Sequence, residues 1–123
     1  MDCLFCKMVN GEIPTKKIYE DDNVIVILDL FPKTDGHALV IPKKHYEDFI
    51  SLDDNEFINI MNVARKLSPT LMEKFNTKHL SLAINYGDAQ EIKHFHLHIL
   101  PNCDKKPKLS QNDAYEILKD TKF

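Results

Sequence analysis

Three of the chain's six histidines fall within five residues, at His94, His96 and His98, with Phe95 and Leu97 between them. Imidazole can attack as a neutral nucleophile, pass a proton near neutral pH, or ligate a metal. Alternate residues of an extended chain share a face, so the three rings would stand successively about 6.5–7 Å apart along one edge. The plainest reading is a solvent-facing polar strand that happens to use histidine. Gathering all three on one ion demands sharp convergence, because nitrogens about 2 Å from a metal lie only about 3–3.5 Å from one another. A division of labour asks less: one ring attacks phosphorus while its neighbours hold phosphate oxygens or a metal. Cys3 and Cys6 add a C-x-x-C pair. Such a pair in a redox enzyme sits between a strand and a helix of a βαβ unit, a context lacking here.

The elements that must position these groups are visible as changes of period. Asp22–Leu30 is a β-branched run bounded by polar residues, and Gly36–Pro42 is a second, stopped by its proline. Residues 31–36 between them have turn composition. A helix is expected from Ser51 as N-cap, with Asp53, Asp54 and Glu56 at the positive end of its dipole. Phe57, Met61, Ala64, Leu67, Leu71 and Phe75 follow helical spacing and would face the core. Pro69 predicts a kink or break, since an interior proline costs about 3 kcal/mol. His79–Asn85 alternates Leu80, Leu82 and Ile84, a strand with one buried face, and Ile92–Leu100 alternates up to Pro101. Ser110–Lys119 suggests a short C-terminal helix capped by Ser110. Together these predict an α+β domain with a mainly antiparallel sheet, one long helix and short terminal helices.

A chain of 123 residues supports one core, so residues 1–123 are expected to form a single domain. With 43% hydrophobic and 28% charged residues it reads as globular, and a net charge of -3 offers no basic field for nucleic acid. No apolar run approaches the roughly 18 residues of a membrane span. The Met1–Asp2 start lacks the basic and apolar regions of a secretion signal, and the three cysteines then suggest a reducing cytoplasm over a disulfide framework.

The segment Gln90–Pro101, QEIKHFHLHILP, resembles the signature of the histidine triad (HIT) family, and Cys3–His45 is similar to that family's N-terminal half. The resemblance covers residues 3–101 and leaves 102–123 as a tail with a short helix. It points to the nucleotide-binding phosphoramidase and nucleoside phosphate hydrolase branch, in which a covalent nucleotidyl-histidine forms and is hydrolysed. It makes His96 the nucleophile, His98 the group that holds phosphate and assists the leaving group, and His37 the support from a neighbouring strand. Asn85 and Gln90 are implied as donors to phosphate oxygens, a role that suits neutral amides. Asp29 would accept from ribose hydroxyls, with Leu30 at the base and Leu4, Phe5, Met8 and Ile27 as apolar walls. Some members bind zinc through positions equivalent to Cys3, Cys6, His45 and His94, a closed structural set. On this reading His94 holds metal, His96 attacks and His98 handles phosphate.

Three departures bear on the leaving group. The Asn85–Gln90 stretch, NYGDAQ, is about two residues shorter than in relatives. Glu91 replaces a usual Ser or Thr, so a carboxylate would meet phosphate unless it is protonated, turned away or paired with Lys93. Asn102 follows Pro101 where relatives carry arginine. The expected activity is hydrolysis of a purine nucleoside phosphoramidate or related 5′-phosphate derivative, with AMP as a ligand, zinc as a structural ion and a homodimer as the assembly. A nucleotide-binding regulatory module with incidental turnover is the alternative from another class. A zinc enzyme using all three triad histidines is a third.

Overall fold

The structure, a computed structural model, describes residues 3–123. Met1 and Asp2, on which the reading of the leader rested, lie outside the described residues. Helix α1 (Leu4–Val9) precedes strands β1 (Lys17–Glu20), β2 (Val24–Leu28) and β3 (Ala38–Pro42). The long helix α2 (Asp54–Lys74) then leads to β4 (Leu80–Ala83), a single 3-10 turn (Gly87–Ala89), β5 (Leu97–Pro101) and α3 (Gln111–Leu118). The five strands form one sheet in the order β1-β2-β3-β5-β4, and every neighbouring pair is antiparallel. This is the α+β architecture expected, with β1 as the strand the sequence reading had not picked out.

Both faces of the sheet are covered at its centre, which is why β2 and β3 are buried along their whole length and read as continuous apolar runs. Val24, Val26, Val40, Leu97 and Ile99 meet α2, and Ala114 and Leu118 of α3 join the same core. Ile25, Ile27, Leu39 and Ile41 point the other way and pack with Cys3 and Phe5. Phe95, Leu97 and Ile99 thus go to the α2 side, as the alternation predicts, and the histidines between them go to the α1 side.

Several boundaries differ from expectation. Ser51 is spent in a turn with Asp48, and Asp53 is the N-cap of α2, its carboxylate accepting from the Glu56 N–H at 2.7 Å. The buried stripe of α2 is Ile60, Val63, Ala64, Leu67 and Leu71. Centring there turns Glu56 inward and leaves Phe57 42% exposed. Pro69 sits inside α2 without breaking it. Burying a leucine contributes about 1.5–3 kcal/mol, and Leu67 and Leu71, both fully buried, flank the proline. Their packing outweighs one lost bond. The strand expected over Ile92–Leu100 begins only at Leu97, so His94 ends a bend and His96 lies in the short segment that enters β5. In β4, Leu82 is 42% exposed and nearby Ile84 37%, because β4 is the sheet's edge. The face expected to be buried there is open in the single chain.

One glycine is fixed by the site it introduces. Gly36 has φ +84°, and a Cβ there would stand 2.5 Å from a ring carbon of Phe75. Any side chain would meet both backbone strain and a collision just before His37.

Candidate active site

His94, His96 and His98 are all buried, and each ring is fixed by a different partner. The His94 Nε2–H donates to the Pro42 carbonyl at 2.8 Å, which leaves Nδ1 as its lone-pair nitrogen. The His96 Nδ1–H donates to the His94 carbonyl at 2.8 Å, which leaves Nε2 free. Phe5 stands edge-on to both rings, 5.0 Å from His96 and 5.8 Å from His94 between centroids. Burial lowers the pKa of His96 and holds His94 at about 4, so both are neutral at pH 7.

His96 lines a cavity of about 500 Å3. Leu4, Phe5 and Met8 from α1, with Ile27 and Leu39 from the sheet, give it an apolar wall. Asp29, Leu30, Asn85, Glu91 and His98 also line it. The structure therefore brings together nearly every nucleotide residue the sequence implied. Gln90 is the exception: it is not in the cavity wall, and its amide N–H groups reach the carbonyls of Glu47 at 2.7 Å and Ile92 at 3.2 Å. Both donors expected for phosphate are committed to holding the short loop. Glu91 does face the cavity, while Lys93 turns its ammonium to the Gly87 carbonyl. Phe31, Lys33, Ala89, Ile92 and Gln111 line the cavity too and were not foreseen. Gln111 lies beyond the motif, and no spacing rule links a C-terminal helix to a pocket.

A chain of hydrogen bonds sets the tautomers behind the nucleophile. The Lys33 N–H donates to His37 Nδ1 at 3.1 Å, so His37 carries its hydrogen on Nε2 and donates it to His98 Nδ1 at 2.9 Å. His98 then carries its own hydrogen on Nε2, 3.3 Å from the Asn85 amide Nδ2. A flip of that amide brings Oδ1 to accept from His98 and turns the NH2 to the cavity. Burial and the neighbouring His96 and His37 hold His98 at about 4. Asp29 Oδ2 stands 3.6 Å from His37 Nε2, and Oδ1 accepts from the Phe31 N–H at 2.9 Å.

Among the described residues two clusters have ligand atoms close enough for a metal, and their tautomers separate them. Asp29, His37 and His98 form the first, but His37 Nδ1 already accepts a hydrogen, so its Nε2 is protonated and cannot also ligate. The second is Cys3, Cys6, His45 and His94, with all four ligand atoms within 4.8 Å of one another. Cys3 Sγ lies 3.3 Å from His94 Nδ1, and Cys6 Sγ lies 3.3 Å from His45 Nδ1. The two Nδ1 atoms are 3.1 Å apart. Edges near 3.3–3.8 Å are what about 2.0–2.3 Å bonds to a tetrahedral ion produce. Burial and the adjacent Cys3 push the Cys6 thiol up to about 11, so a thiolate at Cys6 calls for a cation. The residues fit a closed S2N2 metal site. His96 points elsewhere, which removes the reading in which all three triad histidines share one ion.

The family model for the HIT domain matches residues 10–105. An uncharacterized HIT-like protein of Methanocaldococcus jannaschii is 38% identical over 98% of both chains. Among solved structures, a zinc-bound histidine triad family protein of Mycobacterium smegmatis superposes with a TM-score of 0.86. It is 34% identical, over 97% of this chain and 91% of that one. A hypothetical histidine triad nucleotide-binding protein of Sulfolobus tokodaii gives a TM-score of 0.80 at 30% identity, over 96% and 93% of the two chains.

Proposed function

The chain belongs to the histidine triad family, and from that premise we propose that it hydrolyses a purine nucleoside phosphoramidate or a related nucleoside 5′-phosphate derivative through a nucleotidyl-His96 intermediate. One observation carries the reading: His96 Nδ1 is pinned to the His94 carbonyl at 2.8 Å, leaving a neutral, unpaired Nε2 on a residue that lines a cavity of about 500 Å3. Nε2 attacks the α-phosphorus, and the P–N bond breaks with its electron pair passing to nitrogen, which takes a proton that His98 picks up from solvent and hands on, so that His98 is neutral before and after the step. Water then attacks phosphorus, the P–Nε2 bond breaks, and the nucleoside monophosphate leaves. His37 is the positioning residue that keeps His98 in its tautomer. The Asn85 NH2 donates to a phosphate oxygen without neutralising the nucleophile, and Asp29 accepts from the ribose hydroxyls.

Zinc in the Cys3, Cys6, His45 and His94 set would supply a structural cross-link and no chemical step. The zinc-bound M. smegmatis relative and the four-ligand cluster support that choice of ion. A homodimer is the assembly the open β4 edge favours.

The test is a rapid quench with adenosine 5′-phosphoramidate, followed by intact mass and peptide mapping. One nucleotidyl group on His96 is expected. His96→Ala should lose turnover by orders of magnitude and keep AMP binding within a few-fold. Wild-type turnover in that variant would sink the mechanism, and AMP binding with negligible hydrolysis by the native protein would favour a regulatory module.

A further inference from the structure

From the docking of α3 we infer that Gln111 reads the base: its side-chain oxygen accepts from an exocyclic amine, so the pocket prefers amino-purines to purines that lack the amine. The inference rests on the nucleotide reading of the cavity and goes beyond it, since Gln111 lies outside both the motif and residues 10–105.

Phosphorus at His96 and ribose at Asp29 fix the direction of a bound nucleotide. Phe5 packs against the His96 ring, and Met8 lies one turn further along α1. A second, smaller cleft shares Met8, Ile27 and Gln111 with the main cavity, so these three mark the end where the clefts meet. The base therefore lies between apolar side chains and ends against Gln111.

The carboxamide there is held in one orientation. Its Nε2 donates to the Leu28 carbonyl at 2.9 Å, next to Asp29. A carbonyl can only accept, so Nε2 is committed and Oε1 faces away from Leu28 as an acceptor. Oε1 makes no hydrogen bond among the described residues. The helix presenting it is anchored independently of any ligand: Asp35 Oδ1 accepts from the N–H groups of Lys108 and Leu109 at 2.9 and 2.8 Å. Ser110 and Asp113 form a capping box, and Ala114 and Leu118 sit in the main core. A fixed acceptor at the end of a slot walled by Met8 and Ile27 discriminates by what the base can donate, because a base without the donor leaves it unpaired. Adenine and guanine each carry an exocyclic amine, at different ring positions, and paired ligands separate the two.

The experiment measures affinities by titration for AMP against purine riboside 5′-monophosphate, and for GMP against inosine 5′-monophosphate. Each pair differs by one exocyclic amine. In the native protein one pair should favour its amine by about 3- to 10-fold, the span of a net hydrogen bond. In Gln111→Met, nearly isosteric and apolar, that ratio should fall towards one, and Gln111→Ala provides the same readout if the methionine variant folds poorly. Ratios near one in the native protein, or an unchanged ratio in the variants, would overturn the inference and leave the nucleotide site standing. Binding of none of the four would remove both.

Discussion

His96 can act as a nucleophile because its backbone partner, and not a carboxylate, holds its second nitrogen. A carbonyl fixes the tautomer without adding negative charge beside an incoming phosphate. Asp29 is placed to contribute differently at each oxygen: Oδ1 accepts from the Phe31 N–H, and Oδ2 turns towards His37 and the cavity. Asp29→Asn keeps an oxygen for the turn and loses the second acceptor, so ribonucleotides should weaken more than their 2′,3′-dideoxy analogues. Equal loss for both would take Asp29 out of the ribose site. Acid sensitivity follows from the same buried rings. His98 has a pKa of about 4 in the fold against 6.5 for a free imidazole, so below 6.5 the unfolded chain takes up a proton that the folded chain refuses. Stability is then lost as pH falls from about 6.5 to about 4, and burial lowers His37 and His96 in the same direction. The urea midpoint should drop across that window, and His98→Gln should show a shallower drop. An unchanged slope in that variant would mean His98 titrates normally in the fold.

At the level of elements, the Cys/His cluster and the helices decide what stays in place. Helix α1 has only six residues, too few to persist without tertiary help, and it carries Leu4, Phe5 and Met8 of the cavity wall. Cys3 and Cys6 tie it to His94 in the segment entering β5 and to His45 after β3. Cys3→Ser combined with Cys6→Ser should abolish bound zinc and lower the melting temperature, because metal-binding energy here is folding energy. Turnover per folded molecule should persist. Elemental analysis of tag-free protein prepared without chelator checks the premise, and a metal-free protein of full stability would reduce Cys3 and Cys6 to ordinary thiols. Much of this arrangement is legible in the sequence, since alternation alone puts His94, His96 and His98 opposite Phe95, Leu97 and Ile99. The misses have physical causes. Pro69 obeys local propensity only until the packing of Leu67 and Leu71 overrides it, and Ser51 and Asp53 are equally good caps until the Asp48 turn claims one. Gln90 looks like a phosphate donor until the short loop needs its hydrogens, and Gln111 carries no local pattern that points to a pocket.

On the scale of the whole molecule, the sheet ends unequally. The β1 edge carries Lys17, Tyr19 and Glu20, with Lys17 and Lys43 both paired to Glu20, a charged border that discourages further pairing. The β4 edge has only Ser81 as a polar residue within Leu80–Ala83, and Leu82 is 42% exposed. Elsewhere on the surface α2 leaves Phe57 at 42% and Ile58 at 55% exposure. A second copy pairing along β4 would continue the sheet and cover Leu82, whereas a soluble monomer has no reason to leave an apolar edge strand uncharged. Light scattering after size exclusion should therefore give twice the chain mass for the native protein. Leu82→Glu should shift it to the mass of one chain, while Ile117→Glu, an equally exposed position on α3, should leave it unchanged. Leu82 is not among the residues lining the cavity, so the Leu82→Glu monomer should still bind AMP. A native protein that is monomeric at tens of micromolar, or a Leu82→Glu variant that stays dimeric, would place any assembly surface away from β4.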